Sequence, residues 1–87
     1  MNSVEARELL AQALDSYRSQ KYSDLRKKVG SRDTLSRTGP SGTKYMIEIQ
    51  ILWDGRADGT LRVLGAVDDG GLRSILPLTD DFLVDEE

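Results

Sequence analysis

Ala6, Leu10, Leu14 and Tyr17 recur at spacings of four, four and three, the period of an amphipathic helix. Asn2 or Ser3 supplies an N-cap, Glu5 and Glu8 suit the positive end of the helix dipole, and no Gly or Pro intervenes before Gly30. The stripe lapses at Arg18-Ser19-Gln20-Lys21 and resumes at Tyr22, Leu25 and Val29. A single straight helix over this stretch would run about 42 Å, too long for so short a chain to cover. The pattern therefore predicts one helix with a kink, or two helices, with the break near residues 19–22. Gly30 ends the helical region, and Arg26, Lys27 and Lys28 suit the negative end of the dipole.

After Gly30 the period shortens to two. Lys44 to Asp54 alternates, with Tyr45, Ile47, Ile49, Ile51 and Trp53 on one face and Met46, Glu48, Gln50 and Leu52 on the other. Leu61, Val63, Gly65 and Val67 predict a following strand, and Leu72, Ser74, Leu76 and Leu78 the last one. Thr34 to Thr38 is a weaker candidate, polar enough for an edge. Gly39-Pro40-Ser41-Gly42, Asp54 to Gly59 and Asp68-Asp69-Gly70-Gly71 read as the turns between them. Pro77 donates no ladder hydrogen bond, which puts the last strand at an edge as well. The expected fold is α+β: an N-terminal helix or kinked helix pair on one face of a four-stranded antiparallel meander. One domain spans residues 1–87, helical over 2–30, sheet over 33–78 and a C-terminal tail over 79–87.

Keeping the apolar faces together constrains the register, because a one-residue slip inverts every side chain. Trp53 is expected opposite Leu61. In the last hairpin Val67 should face Leu72, Gly65 face Ser74, Val63 face Leu76 and Leu61 face Leu78. The first hairpin's register stays open.

The chain has no cysteine and no histidine. A disulfide framework and a thiolate metal site are thus excluded, and the commonest general base and metal ligand is missing. Cysteine-free composition fits a reducing compartment. The start of the chain lacks the basic and apolar regions of a signal peptide, and no segment is long and apolar enough to span a membrane. We expect a cytoplasmic protein with no membrane association.

The net charge of −3 hides a split. Arg18 to Lys44 carries eight basic residues against two acidic, or +6, while residues 45–87 carry ten acidic against three basic, or −7. Such asymmetry belongs either to a binding surface or to a solvated helix end facing an acidic sheet edge. Nucleic acid would use the basic stretch with Tyr22 or Tyr45 as stacking platforms. Those tyrosines fall on apolar stripes, and the chain as a whole is acidic. Nucleic acid is accordingly not the expected partner, although a ligand or nucleic-acid module through residues 26–44 is the alternative reading.

Two loops resemble ligand motifs. Gly39-Pro40-Ser41-Gly42-Thr43-Lys44 has the residue types of a phosphate loop, but a strand follows it where that motif needs a helix. Asp54 to Gly59 begins like a calcium loop, yet its third position is Arg56 and its twelfth is Gly65. The carboxylate pairs Asp68-Asp69, Asp80-Asp81 and Asp85-Glu86-Glu87 lie on turns or the tail, too wet to retain a catalytic proton. We expect no cofactor, no metal, no catalytic residue and no enzymatic activity.

The second face of the sheet carries Met46, Leu52, Leu64, Ala66, Ile75 and Pro77 among Glu48, Gln50, Arg62 and Arg73. That mixture is more apolar than a purely solvated face and more polar than a core. It is the composition of a contact surface, although roughly half of any protein surface is apolar. Met46, Glu48, Leu52, Arg62, Leu64, Arg73 and Ile75 are the candidate partner-binding residues, and the expected partner is a protein or a second copy of the chain.

Tyr22, Leu25, Gly39-Pro40-Ser41-Gly42-Thr43, Tyr45, Glu48-Ile49-Gln50, Trp53-Asp54, Arg62-Val63, Asp68-Asp69-Gly70-Gly71 and Pro77-Leu78 together give a pattern over residues 22–78. It resembles a group of small bacterial proteins, a domain of unknown function. The resemblance implies a bacterial cytoplasmic protein and carries over no activity and no functional residue.

Overall fold

The computed structural model describes residues 2–71 and 77–86. Helix α1 spans Ser3–Arg18, and α2, a single short turn of helix, spans Tyr22–Arg26. Asn2 is the N-cap: its side chain accepts a hydrogen bond from the Glu5 amide at 3.1 Å, satisfying a donor that the first turn leaves unpaired. The predicted break falls between the two helices, where the Gln20 amide returns to the Tyr17 carbonyl. Gly30 adopts a φ of +88°, and its amide donates to the Ile51 carbonyl, which ties the end of the helical region to the sheet.

Four strands follow: β1 Arg32–Thr38, β2 Lys44–Trp53, β3 Leu61–Asp68 and β4 Leu78–Val84. They form one antiparallel sheet in the order β1-β2-β3-β4, the expected meander, with β1 and β4 at its edges. Trp53 lies opposite Leu61 as predicted. The first hairpin pairs Leu35 with Ile47 and Arg37 with Tyr45 around the Gly39 turn, and β1 is two residues longer at its start than the polar run indicated.

The last hairpin departs from expectation. The strand beside β3 is Leu78–Val84, so Val67 faces Leu78, Gly65 faces Asp80, Val63 faces Phe82 and Leu61 faces Val84. Residues 79–84, assigned to a tail, are strand, and the partners proposed for β3 at Leu72, Ser74 and Leu76 are displaced. Those three residues lie outside the described ones, as do Arg73 and Ile75. The physical reason is that Leu78, Phe82 and Val84 share one face through the same two-residue period. Asp80 in their midst masks the alternation. Pro77 precedes β4 instead of entering it, so no ladder hydrogen bond is lost.

Ala6, Leu10, Leu14 and Tyr17 of α1 and Leu25 of α2 pack on Tyr45, Ile47, Ile49, Ile51, Leu61, Val63 and Val67. Gly65 makes the close approach of α1 possible, because a Cβ there would stand 2.6 Å from Leu10 Cδ1. Burial alternates along β2 and β3, and the other set of side chains forms the opposite face.

Candidate functional site

The strand register defines the open face row by row. Ser36, Met46 and Asp68 form one row, and Thr34, Glu48, Ala66 and Thr79 the next. Arg32, Gln50, Leu64 and Asp81 follow, then Leu52, Arg62 and Leu83. Both helices lie on the other side. An apolar stripe therefore crosses the face on a diagonal, from Met46 on β2 through Ala66 and Leu64 on β3 to Leu83 on β4. Leu52 lies beside its lower end. Met46 and Leu83, at the two ends, are 45% and 52% exposed, while Leu52 and Leu64 are half-buried by their neighbours.

Charged side chains border the stripe in pairs. On the β1 side Arg32 lies 3.3 Å from Glu48, which also accepts a hydrogen bond from Gln50 at 2.9 Å. On the β4 side Arg62 bonds Asp54 at 2.9 Å and pairs with Asp81. These pairs are substantially exposed, so each adds little stability; what they do is hold the charges in place around the stripe.

Of the residues singled out in the sequence, Met46, Glu48, Leu52, Arg62 and Leu64 come together here, whereas Arg73 and Ile75 lie outside the described residues. Ala66 has Thr79 as its β4 neighbour. Thr79, Asp81 and Leu83 were missed because the last strand was placed too early. The signal was present in the run Leu78-Thr79-Asp80-Asp81-Phe82-Leu83-Val84, whose alternate residues Leu78, Phe82 and Val84 are apolar.

The phosphate-loop look-alike has another occupant. Glu5 is the one buried charged residue described, and its carboxylate accepts from the Ser41 amide at 2.8 Å, the Ser41 hydroxyl at 2.7 Å and the Tyr45 hydroxyl at 2.9 Å. The turn thus holds an anion, supplied by α1. The Ser41 amide, then its hydroxyl, hold the Glu5 carboxyl below its ordinary pKa against the opposing effect of burial, and Tyr45 adds to the lowering. Burial, with Glu5 as hydrogen-bond partner, raises Tyr45 in turn.

The basic stretch is largely engaged within the fold. Arg26 bonds Asp58 at 2.5 and 2.8 Å, and Lys28 bonds Gln20 at 2.7 Å and sits 5.8 Å from the centre of the Tyr17 ring. The Tyr22 ring is buried with its hydroxyl on the Gly59 carbonyl at 2.6 Å, and Tyr45 is fully buried. A groove of about 310 Å³ between α1 and β4 is lined by Arg7, Leu10, Leu78, Thr79 and Asp80. Among the described residues no three carboxylates gather into a set able to hold a metal ion, and no helix is long and apolar enough to cross a membrane. Compared with protein-family models, curated proteins and solved structures, the chain matches none.

Proposed function

We propose that this chain is a non-catalytic interaction module that docks onto a protein surface through the open face of its sheet. The observation that carries the reading is the diagonal stripe, an apolar path from β2 to β4 with its two most exposed members at the ends and paired charges along both borders. An apolar centre with a polar rim is the anatomy of a contact patch. The basic segment supports the alternative less well. Arg26, Lys28 and Arg32 are spent on internal partners, and the two tyrosines that would stack on bases are buried.

Oxidative footprinting tests it. Met46 is one of two methionines in the chain and its thioether is accessible, so its conversion to the sulfoxide reports coverage of the stripe. Labelling should fall when dilute protein is brought to high concentration or placed in extract, and Leu64→Glu should restore it. Equal labelling of Met46 under all these conditions overturns the reading. The two ligand classes separate by salt, because contact with phosphates weakens steeply with ionic strength and apolar contact does not.

A further inference from the structure

We infer that the free edge of β1 is a second contact surface, separate from the open face, and that it pairs with β1 of another copy of the chain. The pairing is antiparallel about a two-fold axis at Leu35, which makes the two sheets continuous.

The ladder determines which backbone groups are free for this. The Gly39 amide donates to the Thr43 carbonyl at 2.9 Å, and Thr38 lies opposite Lys44, so residues 39 and 43 form a hydrogen-bonded pair. Such pairs alternate along an antiparallel ladder. Asp33, Leu35 and Arg37 therefore bond to Ile49, Ile47 and Tyr45, while the amides and carbonyls of Arg32, Thr34, Ser36 and Thr38 point away from β2. The Ser36 carbonyl accordingly accepts from the Arg37 guanidinium at 2.9 Å. α1 packs on β2, β3 and β4, and β1 is exposed at every residue but Leu35. Among the described residues no strand pairs with this edge.

A two-fold at Leu35 sets each residue opposite the one equally far beyond Leu35 on the other copy. Leu35 meets Leu35, Asp33 meets Arg37, Thr34 meets Ser36 and Arg32 meets Thr38, the last three pairs each occurring twice. Thr34 with Ser36 and Arg32 with Thr38 exchange backbone bonds, so the free amides and carbonyls of the edge are satisfied. Leu35 and the charged pairs take the positions between, where opposing side chains stand closest. These side chains lie on the helix side of the sheet, where Leu35 already packs against the core and Asp33 meets α1.

The charges argue for a second copy over a foreign strand. Within the chain Asp33 accepts from the neutral Tyr17 hydroxyl and Arg37 donates to a backbone carbonyl, so neither charge is spent on an opposite one. Charge on an edge strand normally guards against pairing. Here the two signs stand equally far from Leu35, and the edge complements its own copy, as a two-fold contact requires. β4, the other edge, holds Asp80 and Asp81 and no basic residue, so it cannot complement itself. A seven-residue edge buries little side-chain area, and the pair should be weak, with dissociation in roughly the micromolar range or above.

Sedimentation equilibrium on the full chain tests this, with circular dichroism confirming that each variant is folded. The unmodified protein should be a monomer–dimer mixture. Ser36→Pro removes an edge donor without costing β1 a bond to β2, and it should abolish the dimer. Asp33→Arg or Arg37→Asp alone should weaken association about tenfold, since each reversal counts twice. The double variant should recover most of that loss, and because the two positions lie about 13 Å apart along one strand, only contact across the axis can produce the recovery. Register has its own readout, since the chain has no cysteine. Leu35→Cys places two thiols on the axis with Cα atoms about 4.5 Å apart, whereas Thr38→Cys leaves them about 20 Å apart. Oxidised glutathione should cross-link the first far faster than the second. A protein monomeric up to about 1 mM overturns the second copy as occupant, and growth beyond two copies overturns the two-fold. A dimer indifferent to Ser36→Pro overturns the β1 edge. Equal cross-linking of the two cysteine variants, or no recovery in the double variant, overturns the pairing about Leu35. Leu64→Glu, on the open face, should leave this dimer intact, so the edge and the open face fail separately.

Discussion

The side chain that Gly39 lacks is the space taken by the carboxylate of Glu5. A Cβ at residue 39 would stand far inside van der Waals contact distance of Glu5 Oε1, with the rest of that side chain immediately behind it. The first helix and the first hairpin are thereby locked together by a residue without a side chain and a buried charge that Ser41 of the turn and Tyr45 of β2 satisfy together. Gly39→Ala should force the carboxylate out and cost about 1–3 kcal/mol, the usual penalty of overpacking. Thermal denaturation measures it. The cost should be strongly non-additive with Glu5→Ala, because the second substitution removes the clashing partner. Additive losses would mean that the two residues do not share this space.

Acid should release the same lock. The folded-state pKa of Glu5 lies below its ordinary 4.5, so its contribution to stability is complete above that value and is lost as pH falls through the folded-state pKa. Glu5→Gln removes the titrating group. The variant should be less stable than the parent at neutral pH, yet its melting temperature should fall less steeply between about pH 5 and pH 3. Parallel curves over that interval would assign the acid sensitivity to other carboxylates.

At the far end of α1 the Tyr17 hydroxyl donates to the Asp33 carboxylate on β1. Burial, then the hydrogen bond and the charge of Asp33, push the Tyr17 phenol up to about 12. A raised phenol favours the folded state in its neutral form, so this contribution is intact below the ordinary value of 10 and is lost as pH rises from there towards 12. In an ultraviolet titration Tyr17→Phe should delete a component ionising near 12, and at neutral pH it should cost about 0.5–1.5 kcal/mol. Loss of a component near 10 instead would show that the phenol is not held by Asp33.

What was legible in the sequence follows from how local the deciding physics is. The 3.6-residue stripe from Ala6 to Tyr17 and the strict alternation from Tyr45 to Trp53 are local, and both stand as read. So does the Trp53–Leu61 pairing, because the hairpin between them is closed by a short polar loop. The last hairpin depended on the length of a connection, which no period encodes. The run from Leu72 to Leu78 has the period of a strand, and Asp80 on the inward row makes the strand that pairs with β3 look like a tail. Five of the seven candidate contact residues lay on β2 and β3, whose register was readable, and they fell on one face. The Glu5 lock was not legible, since it joins residues separated by 36 positions and uses a glycine whose only signal is absence of a side chain.

Phe82 separates the observed last strand from the one the pattern first indicated. In the structure it lies opposite Val63 and packs against the core at the edge of the sheet, with the Arg18 guanidinium 4.3 Å from the centre of its ring. It thus closes the end of the core between α1 and β4 and gives a cation from the helix an aromatic face to rest on. If residues 79–87 were a tail, Phe82→Ala would leave the melting temperature unchanged. With β4 as found, the substitution removes a half-buried ring, and the loss should be about 2–3 kcal/mol, below the range for fully buried aromatics. Arg18→Ala should cost less, about 0.5–1 kcal/mol, the size of an exposed cation–π contact, and should cost almost nothing once Phe82 is gone. Hydrogen exchange adds a readout tied to position. Since β3 bonds to β4 along Leu61 to Val67, Phe82→Ala should speed exchange of β3 amides that point to that edge, while those facing β2 keep their protection. Uniform loss of protection across the sheet would instead describe global unfolding, and unaltered exchange on β3 would return Phe82 to the tail.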